Sequence, residues 1–353
     1  MCDFIHLESD YNNGAHPQVL QHLTETNSMR SHTYGFDAWS ETAREKIRHA
    51  TRCPDAAVSF LVGGTQTNAT VIDAVLQTGE GVVAVETAHI AVHESGAVES
   101  AGHKVLVLPS HDGKMWAGDL QTYLERFYAD ETYPHMVQPG MVYITMPTEL
   151  GSVYQASEIE AIANVCRQYS LPLFVDGARL GYGLMSDACD FDLPWLAEHC
   201  HAFYIGGTKV GALCGEAVVF PKGDAPRNFF THVKRHGALL AKSRLASVQF
   251  DALFTDNLYF KISRHAIEMA HRLREAFVRA GFEMFNDSPT NQQFVIVPNR
   301  YLPVLRQHVG FECWQPLEND ATMCRFVTSW ATTVEEIEAL SVILQRVVTG
   351  AKQ

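Results

Sequence analysis

The sequence predicts an α/β fold in which a mostly parallel seven-stranded sheet lies between helices, followed by a smaller α+β domain. Two observations support this prediction. Seven short apolar runs alternate with amphipathic stretches of helical period between residues 58 and 221. Continuous apolar runs are typical of strands that are covered on both faces, as in parallel sheets with helices on each side. Beyond residue 250 the alternation stops and a long amphipathic helix follows.

The predicted elements of the large domain follow one another in regular order. Helices are expected at 64–76, 89–100, 119–128 and 157–169, and a capping box over Ser157-Glu158-Ile159-Glu160 opens the last of them. The predicted strands are VSFLV (58–62), VVAVE (82–86), KVLVLP (104–109), MVYITMP (141–147), LPLFVD (171–176), AFYIGG (202–207) and EAVVFP (216–221).

The remaining chain predicts an N-terminal arm and a second domain. Residues 1–15 form the arm, 16–250 the large domain and 251–353 the small C-terminal domain. In the small domain we expect a helix over about 257–280, a strand at QQFVIVP, a short helix at 301–309 and a strand at MCRFVTSW. A final helix begins after Thr333, where Glu336 completes a capping box.

Composition excludes several classes of partner. The chain of 353 residues carries a formal net charge of −13, so we expect neither nucleic acid nor an anionic membrane as a partner. No apolar run is long enough to span a bilayer, and the N-terminus shows no secretory signal. The eight cysteines form no CxxC pair, which favours free thiols in a reducing compartment. We therefore expect a cytoplasmic protein.

A carboxylate and an amine follow two of the predicted strands. Asp176 ends the run LFVD, and Lys209 follows the run AFYIGG. Both side chains should lie at the carboxyl edge of the sheet, where open α/β folds bind their ligands. Such a pair suits pyridoxal phosphate, because the amine forms a Schiff base with the aldehyde and the carboxylate keeps the pyridine nitrogen protonated. The alternative is that the two residues lie on unrelated loops.

Two further motifs point to the same edge. Gly63-Gly64-Thr65-Gln66-Thr67-Asn68 joins a strand to a helix, and its glycines and helix N-terminus suit a phosphate monoester. The alternative is an ordinary glycine-rich turn. His89 follows the next strand and could stack on the pyridine ring or act in proton transfer, although it could also be structural. His89 and His93 have metal-ligand spacing, but no third ligand is evident, so we expect no metal.

Two arginines are candidate anion-binding groups. Arg179 follows Asp176 within DGAR and offers a planar fork to a substrate carboxylate. Arg325 lies inside the apolar run MCRFVTSW of the second domain. An arginine in such a run either forms a structural ion pair or binds an anion, and the sequence leaves both interpretations open.

The order and spacing of these motifs resemble those of the L-threonine aldolase family. The resemblance rests on GGTQTN, ETAHIAVHESG, LFVDGAR and GGTK followed by GA, together with Ser9-Asp10 and Tyr34-Gly35, and covers nearly the whole chain. It implies the aspartate-aminotransferase-like type I fold of pyridoxal phosphate enzymes. It also implies a homotetramer, or a homodimer, with active sites at the subunit interface.

The resemblance implies a role for each candidate residue. Lys209 would bind the cofactor covalently, and Asp176 would face the pyridine nitrogen. The cofactor phosphate would contact Gly64, Thr65, Arg235 and Lys242, and His89 would stack on the ring. The amino-acid substrate would contact Ser9, Tyr34, Arg179 and Arg325.

Two departures from the family pattern concern the chemistry. Known aldolases of this family have NTHNG after the fourth strand, with a histidine near the substrate hydroxyl, whereas here the segment is Pro147-Thr148-Glu149-Leu150-Gly151. Glu149 then becomes the candidate base, with His89 or a water as alternatives. The lysine segment reads GGTKVGALCG, where related enzymes have Ser-Lys-Gly.

The implied reaction is retro-aldol cleavage of a β-hydroxy-α-amino acid, such as L-threonine, L-allo-threonine or phenylserine, to glycine and an aldehyde. The same cofactor-binding residues would also suit a β-eliminating amino-acid lyase, which yields a keto acid and ammonia. A non-catalytic binding protein that keeps only the scaffold is a third interpretation. The presence of both Asp176 and Lys209 argues against it.

Overall fold

The computed structural model describes residues 4–350 and contains two sheets of four or more strands. Its strands are β1 (Ile5–His6), β2 (Ala57–Leu61), β3 (Glu80–Val85), β4 (Lys104–Leu108), β5 (Gln138–Thr145), β6 (Leu173–Asp176), β7 (Ala202–Gly206), β8 (Glu216–Phe220), β9 (Glu283–Met284), β10 (Gln292–Pro298), β11 (Val309–Gly310), β12 (Glu312–Leu317) and β13 (Ala321–Val327).

Helices cover both faces of the large sheet and one face of the small one. They are α1 (Pro17–Thr26), α2 (Ala38–Thr51), α3 (Gly64–Val75), α4 (His89–Val92), α5 (Ala97–Ser100), α6 (Ala117–Ala129), α7 (Ala156–Gln168), α8 (Leu180–Leu184), α9 (Leu193–His199), α10 (Phe229–Arg235), α11 (Arg244–Leu253), α12 (Leu258–Arg279), α13 (Leu302–Leu305) and α14 (Val334–Gly350). Short 3₁₀ helices lie at Tyr133–His135 and Asn299–Tyr301.

The large sheet confirms the predicted seven-stranded, mostly parallel architecture. Within residues 4–350 its strand order is β2-β8-β7-β6-β5-β3-β4, and β8 alone runs antiparallel to its neighbours. The carboxyl ends of β2, β3, β5, β6 and β7 therefore meet at one edge. The first residue of β8 meets the same edge, because Glu216 pairs with Gly206 in the antiparallel β7–β8 register.

The second sheet has the order β12-β13-β10-β9, with antiparallel pairing throughout. It packs with α12 and α14 around a core of its own, in which Phe277 and Phe326 are fully buried. Ile5 and Leu7 of the N-terminal segment join this second core, and β1 pairs with β11. The large core extends from Ala15 to Ile267, so α12 contributes to both cores. The domain boundary at residue 250 remains a prediction.

Three local predictions were wrong. The helix expected over 89–100 is two short helices, because Ser95 and Gly96 adopt left-handed backbone angles with φ of 52° and 73°. The capping box before α7 involves Gln155 and Glu158, so the helix begins earlier than its Ser157 suggested. The helix expected at 301–309 ends at Leu305.

The capping box predicted at the last helix is confirmed. The backbone N–H of Thr333 donates to Glu336, and the N–H of Glu336 donates to the Thr333 hydroxyl. Across residues 4–350, no helix combines the length and the apolar character needed to cross a bilayer.

Candidate active site

A cavity of about 300 Å³ opens at the carboxyl edge of the large sheet. Seven residues that the sequence singled out line it, namely Gly64, Thr65, His89, Glu149, Asp176, Arg179 and Lys209. The lining combines apolar surface with an amine, a guanidinium and several carboxylate groups, and convergent polar groups of this kind are typical of a ligand site. The lining residues are Tyr11, Gly64, Thr65, His89, Glu94, Thr145, Pro147, Glu149, Asp176, Ala178, Arg179, Tyr204, Thr208, Lys209 and Glu216.

Two glycines allow the ends of β6 and β7 to approach one another. A Cβ atom on Gly177 would lie 1.9 Å from the carbonyl oxygen of Tyr204, and one on Gly206 would lie 2.2 Å from the carbonyl oxygen of Ala178. Both neighbours are backbone atoms and cannot move aside. Glycine is therefore required at both positions by the packing of the two strand ends, which places Asp176 and Lys209 in one cavity.

Three donors hold the carboxylate of Asp176. The hydroxyl of Tyr143 donates to Oδ2 at 2.5 Å, and Nδ2 of Asn68 donates to the same oxygen at 2.8 Å. The backbone N–H of Ala178 donates to Oδ1 at 2.9 Å. Burial, followed by Asp176, raises the pKa of Tyr143, so its hydroxyl stays protonated as a donor. The carboxylate is thus fixed in position before any ligand binds.

A second carboxylate connects this network to His89. Oε1 of Glu94 lies 2.7 Å from Nδ1 of His89 and accepts a hydrogen bond from Nδ2 of Asn68 at 2.8 Å. The single amide group of Asn68 therefore joins Glu94 to Asp176. A carboxylate beside Nδ1 assigns the ring proton to that nitrogen, which leaves Nε2 free to act toward the cavity.

Lys209 lies in the connection after β7, and Glu216 is the first residue of β8; both line the cavity. Burial and the nearby Arg179 lower the pKa of Lys209 to about 8. Burial raises the pKa of Glu216 to about 8, even though its oxygens accept hydrogen bonds from the Thr208 hydroxyl and the Gly207 N–H. An amine whose pKa is lowered in this way is partly uncharged near neutral pH, which is the form that attacks an aldehyde.

Glu149 lies in the cavity wall with one oxygen held and the other free. Its Oε1 accepts hydrogen bonds from the N–H of His89 at 2.8 Å and from the Thr145 hydroxyl at 2.9 Å. Its Oε2 is buried and has no partner within residues 4–350. Burial raises the pKa of Glu149 to about 7. A carboxyl group with this pKa can exchange protons efficiently near neutral pH.

Arg179 is oriented by the N-terminal segment. Its Nε and Nη2 donate to the two oxygens of Asp10 at 2.7 and 3.0 Å, and both side chains are buried. Asn291 of the second domain donates to Asp10 as well. Asp10 thus engages one side of the guanidinium, which leaves Nη1 as the nitrogen that can meet a ligand in the cavity.

Arg325 makes an ion pair outside the cavity lining. Its Nη2 donates to Oε2 of Glu312 at 2.6 Å, its Nη1 donates to Gln292, and its guanidinium lies 4.8 Å from the centre of the Trp314 ring. The Nε atom of Arg325 is buried without a partner among the described residues. Of the two interpretations that the sequence left open, the structural ion pair is present, and the anion-binding role remains a prediction.

Besides Arg325, four candidate residues lie outside the cavity lining of their own chain. The Ser9 hydroxyl donates to Asn12, and Tyr34 lies under the ammonium group of Lys234. Arg235 pairs with Asp73, and Lys242 lines a separate depression beside α1 and α11. Their predicted cofactor and substrate contacts cannot be made within one chain in this arrangement.

Several residues of the site were missed by the sequence reasoning, namely Asp10, Tyr11, Asn68, Glu94, Tyr143, Thr145, Tyr204, Thr208 and Glu216. A signal existed for Glu216, because it is a charged residue that opens the apolar run EAVVF after a short connection from AFYIGG. A hairpin between those runs would have placed it beside the lysine. The buried hydroxyl of Tyr143 lay within an apolar strand and gave no such signal.

The cavity fits pyridoxal phosphate, whose parts find chemical partners there. Lys209 supplies the amine for the aldehyde, and Asp176 supplies the fixed carboxylate for the pyridine nitrogen. The first N–H groups of α3 have no partner within the helix and can receive the phosphate. A Cβ on Gly64 would approach the Tyr204 hydroxyl to 3.3 Å, so glycine keeps this end of the cavity open. Fold and site together define a pyridoxal phosphate enzyme of the aspartate-aminotransferase-like fold.

Comparisons with known proteins identify the family. The beta-eliminating lyase family model matches residues 7–299. A low specificity L-threonine aldolase of Pseudomonas aeruginosa is 30% identical over 353 residues, which cover 97% of each chain. The solved structure of threonine aldolase from Leishmania major has a TM-score of 0.94 and 35% identity, covering 98% of this chain and 99% of that one. The chain therefore belongs to the beta-eliminating lyase family and, within it, to the threonine aldolases.

A more distant structure shows the fold alone. Thermus thermophilus aspartate aminotransferase has a TM-score of 0.70 at 15% identity and covers 98% of this chain and 92% of that one. The predicted family, fold class and cofactor are thus confirmed.

Proposed function

We propose that this enzyme cleaves L-threonine, L-allo-threonine and related β-hydroxy-α-amino acids, such as phenylserine, to glycine and an aldehyde. The observation that carries the proposal is the free oxygen of Glu149. Oε2 is buried in the cavity wall, has no partner among the described residues and belongs to a carboxyl group with a pKa of about 7. A retro-aldol reaction needs such an acceptor, because the β-hydroxyl proton must leave as the Cα–Cβ bond breaks.

The cavity residues can bind and orient such a substrate. Arg179 meets the substrate carboxylate through Nη1 while Asp10 keeps the guanidinium in place. Pyridoxal phosphate, which Lys209 would hold before the substrate amine takes its place, would supply an electron sink for the pair left on Cα. Fixing the carboxylate sets which bond at Cα lies perpendicular to that sink, and so selects cleavage of Cα–Cβ over loss of the Cα proton.

Proton movement is assigned to two groups. Glu149 accepts the hydroxyl proton at Oε2, and its Oε1 stays fixed by His89 N–H and Thr145. His89, whose Nδ1 faces Glu94, is the alternative acceptor through Nε2 or through a water. The environment favours Glu149, since burial has already raised its pKa to about 7.

Product analysis with three substrates tests this function. Holoenzyme is incubated separately with L-threonine, L-phenylserine and L-cysteine, and aldehydes, glycine and keto acids are quantified. Aldehyde and glycine in equal amounts from the first two substrates support the proposal. A keto acid and ammonia as the main products would instead assign β-elimination. Lys209→Ala serves as the control, since it removes the amine on which either reaction depends.

We further propose that two copies of the chain share their active sites in a homodimer or in a homotetramer. Large apolar side chains are exposed near the cavity and α10, among them Tyr11, Phe36 and Phe230, of which Phe36 is 71% exposed. Phe36 and Phe230 lie 6.0 Å apart, so they form one patch. Exposed apolar area of this kind is typical of subunit contacts. A partner would bring its own Arg235 and Lys242 near this chain's cavity.

Subunit mixing tests this arrangement. We expect the Lys209→Ala and Lys242→Ala variants each to be inactive or weak alone. If Lys242 acts across the interface, a hybrid of the two variants contains one site that carries neither substitution. Mixing the two variants after mild dissociation should then restore activity. Hybrids without recovered activity would show that Lys242 does not serve the partner. Sedimentation of the holoenzyme distinguishes the dimer from the tetramer.

The compartment is also a proposal. Free thiols at the seven cysteines of the described residues, among them the buried Cys166 and Cys200, support a reducing environment and hence the cytoplasm. Cell fractionation with an antibody against the protein tests this directly. A main signal in a secreted or membrane fraction would contradict it.

A further inference from the structure

A second cluster of ionisable side chains lies between α3 and α10, in a cavity of about 760 Å³ that is distinct from the active-site cavity. We propose that Asp73, His232 and His236 bind a divalent cation with the preferences of Zn²⁺. The site goes beyond the aldolase reaction. The expectation of no metal had considered only the pair His89 and His93.

Three ligand atoms converge at the centre of the cluster. One oxygen of Asp73, Nδ1 of His232 and Nε2 of His236 lie within 4.8 Å of one another. Both nitrogens are 2.7 Å from Oδ2 of Asp73. In a tetrahedral zinc site the bonds to nitrogen and oxygen are about 2.0–2.2 Å, which separates the ligand atoms by roughly 3.3–3.5 Å. Each nitrogen would therefore have to move away from the Asp73 oxygen by roughly 0.6–0.8 Å to admit the ion.

His103 lies beside the cluster but outside the group of converging ligand atoms. Its Nδ1 lies 3.1 Å from the carbonyl oxygen of Glu80, which can only accept a hydrogen bond, so the proton sits on Nδ1. Its Nε2 lies 3.7 Å from Oδ1 of Asp73, which is too long for a hydrogen bond. The fourth position around a tetrahedral ion would therefore be left to a water molecule.

The contact made by the other ring nitrogen of His232 also suits a metal-bound histidine. Nε2 of His232 lies 2.9 Å from Nδ2 of Asn228. With a metal on Nδ1, the proton of His232 moves to Nε2 and needs an acceptor. A flip of the Asn228 amide presents its oxygen to that proton without moving any other group. Asn228 is therefore a positioning residue for His232.

Arg235 is the cation that now compensates Asp73. Its guanidinium pairs with the same carboxylate, and its side chain is 59% exposed. Because the arginine is exposed, it can move into solvent once a divalent cation compensates the buried carboxylate of Asp73. Binding of the metal would thus release Arg235, the residue that we place near a partner's cofactor phosphate.

Imidazole and carboxylate ligands in this ratio select the metal. Two histidines and one carboxylate suit Zn²⁺, Co²⁺ or Ni²⁺, whereas Mg²⁺ and Ca²⁺ prefer oxygen ligands. The three side chains come from α3, from α10 and from the residue that follows α10. Metal binding would therefore join elements that are distant in sequence and would stabilise the fold.

Zinc content of the holoenzyme tests the proposal. Chelator-treated protein is dialysed against Zn²⁺, and bound zinc is measured per chain for the parent, His236→Ala, Asp73→Asn and His135→Ala, an exposed histidine outside the cluster. We expect one zinc per chain in the parent and in His135→Ala. We expect loss of this zinc in the first two variants, and binding about 10–100-fold weaker in Asn228→Ala.

Two further measurements keep the outcome clear. Circular dichroism shows whether each variant is folded. Asp73→Asn removes a ligand with little change in shape, so it tests the site even if His236→Ala does not fold. X-ray absorption of the zinc-loaded parent should show nitrogen and oxygen ligands at about 2.0–2.2 Å. Parent protein that retains no zinc above His236→Ala, or folded variants that retain it fully, would overturn the site.

Discussion

The carboxylate of Asp10 accepts two hydrogen bonds from the guanidinium of Arg179, at 2.7 and 3.0 Å, in the buried space between the N-terminal segment and the active-site cavity. Burial by itself would raise the pKa of Asp10, but Arg179, Lys209 and the hydrogen bond from Asn291 lower it overall. One residue of the N-terminal segment therefore fixes the arginine that is expected to bind the substrate carboxylate.

Replacing Asp10 with alanine should destabilise the protein and weaken substrate binding. It leaves a buried guanidinium uncompensated, which costs about 3–5 kcal/mol. We expect a lower urea midpoint and a higher KM, with cofactor absorbance retained. Asp187→Ala, at an exposed aspartate, is the matched control. Equal urea midpoints for the two variants would show that the buried pair contributes nothing.

The contribution of Asp10 should depend on pH in a defined direction. Because its pKa is lowered in the folded state, the stabilisation is fully present above about pH 4 and is lost as the pH falls through the lowered value. The difference in unfolding free energy between parent and Asp10→Ala should therefore be constant from pH 5 to pH 7, to within about 0.5 kcal/mol. A difference that grows steadily over that range would contradict this assignment.

Glu149→Gln should slow cleavage and change its pH profile. Loss of a general base costs roughly 10²–10⁴-fold in kcat. In the parent, kcat/KM should rise with pH through about 7, because the reaction needs the deprotonated form of a group whose pKa burial has raised to about 7. The variant should lack that rise. Glu131→Gln, at an exposed glutamate, should behave as the parent. An unchanged rise in Glu149→Gln would move the base to another residue.

Glu149→Gln should also change how the stability of the protein depends on pH. A carboxyl group with a raised pKa binds its proton more tightly in the folded state, so the parent loses stability as the pH rises from about 4.5 to about 7. The loss is on the order of 3 kcal/mol for this buried group. The unfolding free energy of Glu149→Gln, measured in urea relative to that of the parent, should therefore increase between pH 5 and pH 8. A difference in unfolding free energy between variant and parent that stays constant from pH 5 to pH 8 would contradict this prediction.

Asn68→Ala should weaken both stability and cofactor retention. Its amide donates to Glu94 and to Asp176, so removing it leaves two buried carboxylates short of a donor. Each loss costs about 1–3 kcal/mol. We expect a lower melting temperature and a higher Kd for pyridoxal phosphate by fluorescence titration. Asn164→Ala, at an exposed position, controls for the substitution itself. Unchanged cofactor affinity would exclude a role for this network.

The sequence predicted the site best where a reactive side chain follows the end of a strand. Asp176 and Lys209 were placed correctly in one cavity because each follows an apolar run, and parallel strands bring such ends together. The same reasoning placed Thr65 and His89. These positions depend only on local pattern and on the direction of neighbouring strands.

Contacts between distant segments could not be predicted in this way. Arg235 was assigned to the cofactor phosphate, but in this chain it pairs with Asp73 across the α3–α10 contact. Nothing in the pattern around either residue encodes that approach. The link from Asp10 to Arg179 and Asn291 likewise depends on how the N-terminal segment and the second domain pack.

The most direct test follows the Cα atom of the substrate. Holoenzyme is mixed with L-threonine labelled with carbon-13 at Cα, and the products are followed by nuclear magnetic resonance. Retro-aldol cleavage transfers the label to glycine, with an equal amount of unlabelled acetaldehyde. Label that appears in 2-oxobutanoate, with release of ammonia and without glycine, would contradict the proposed function.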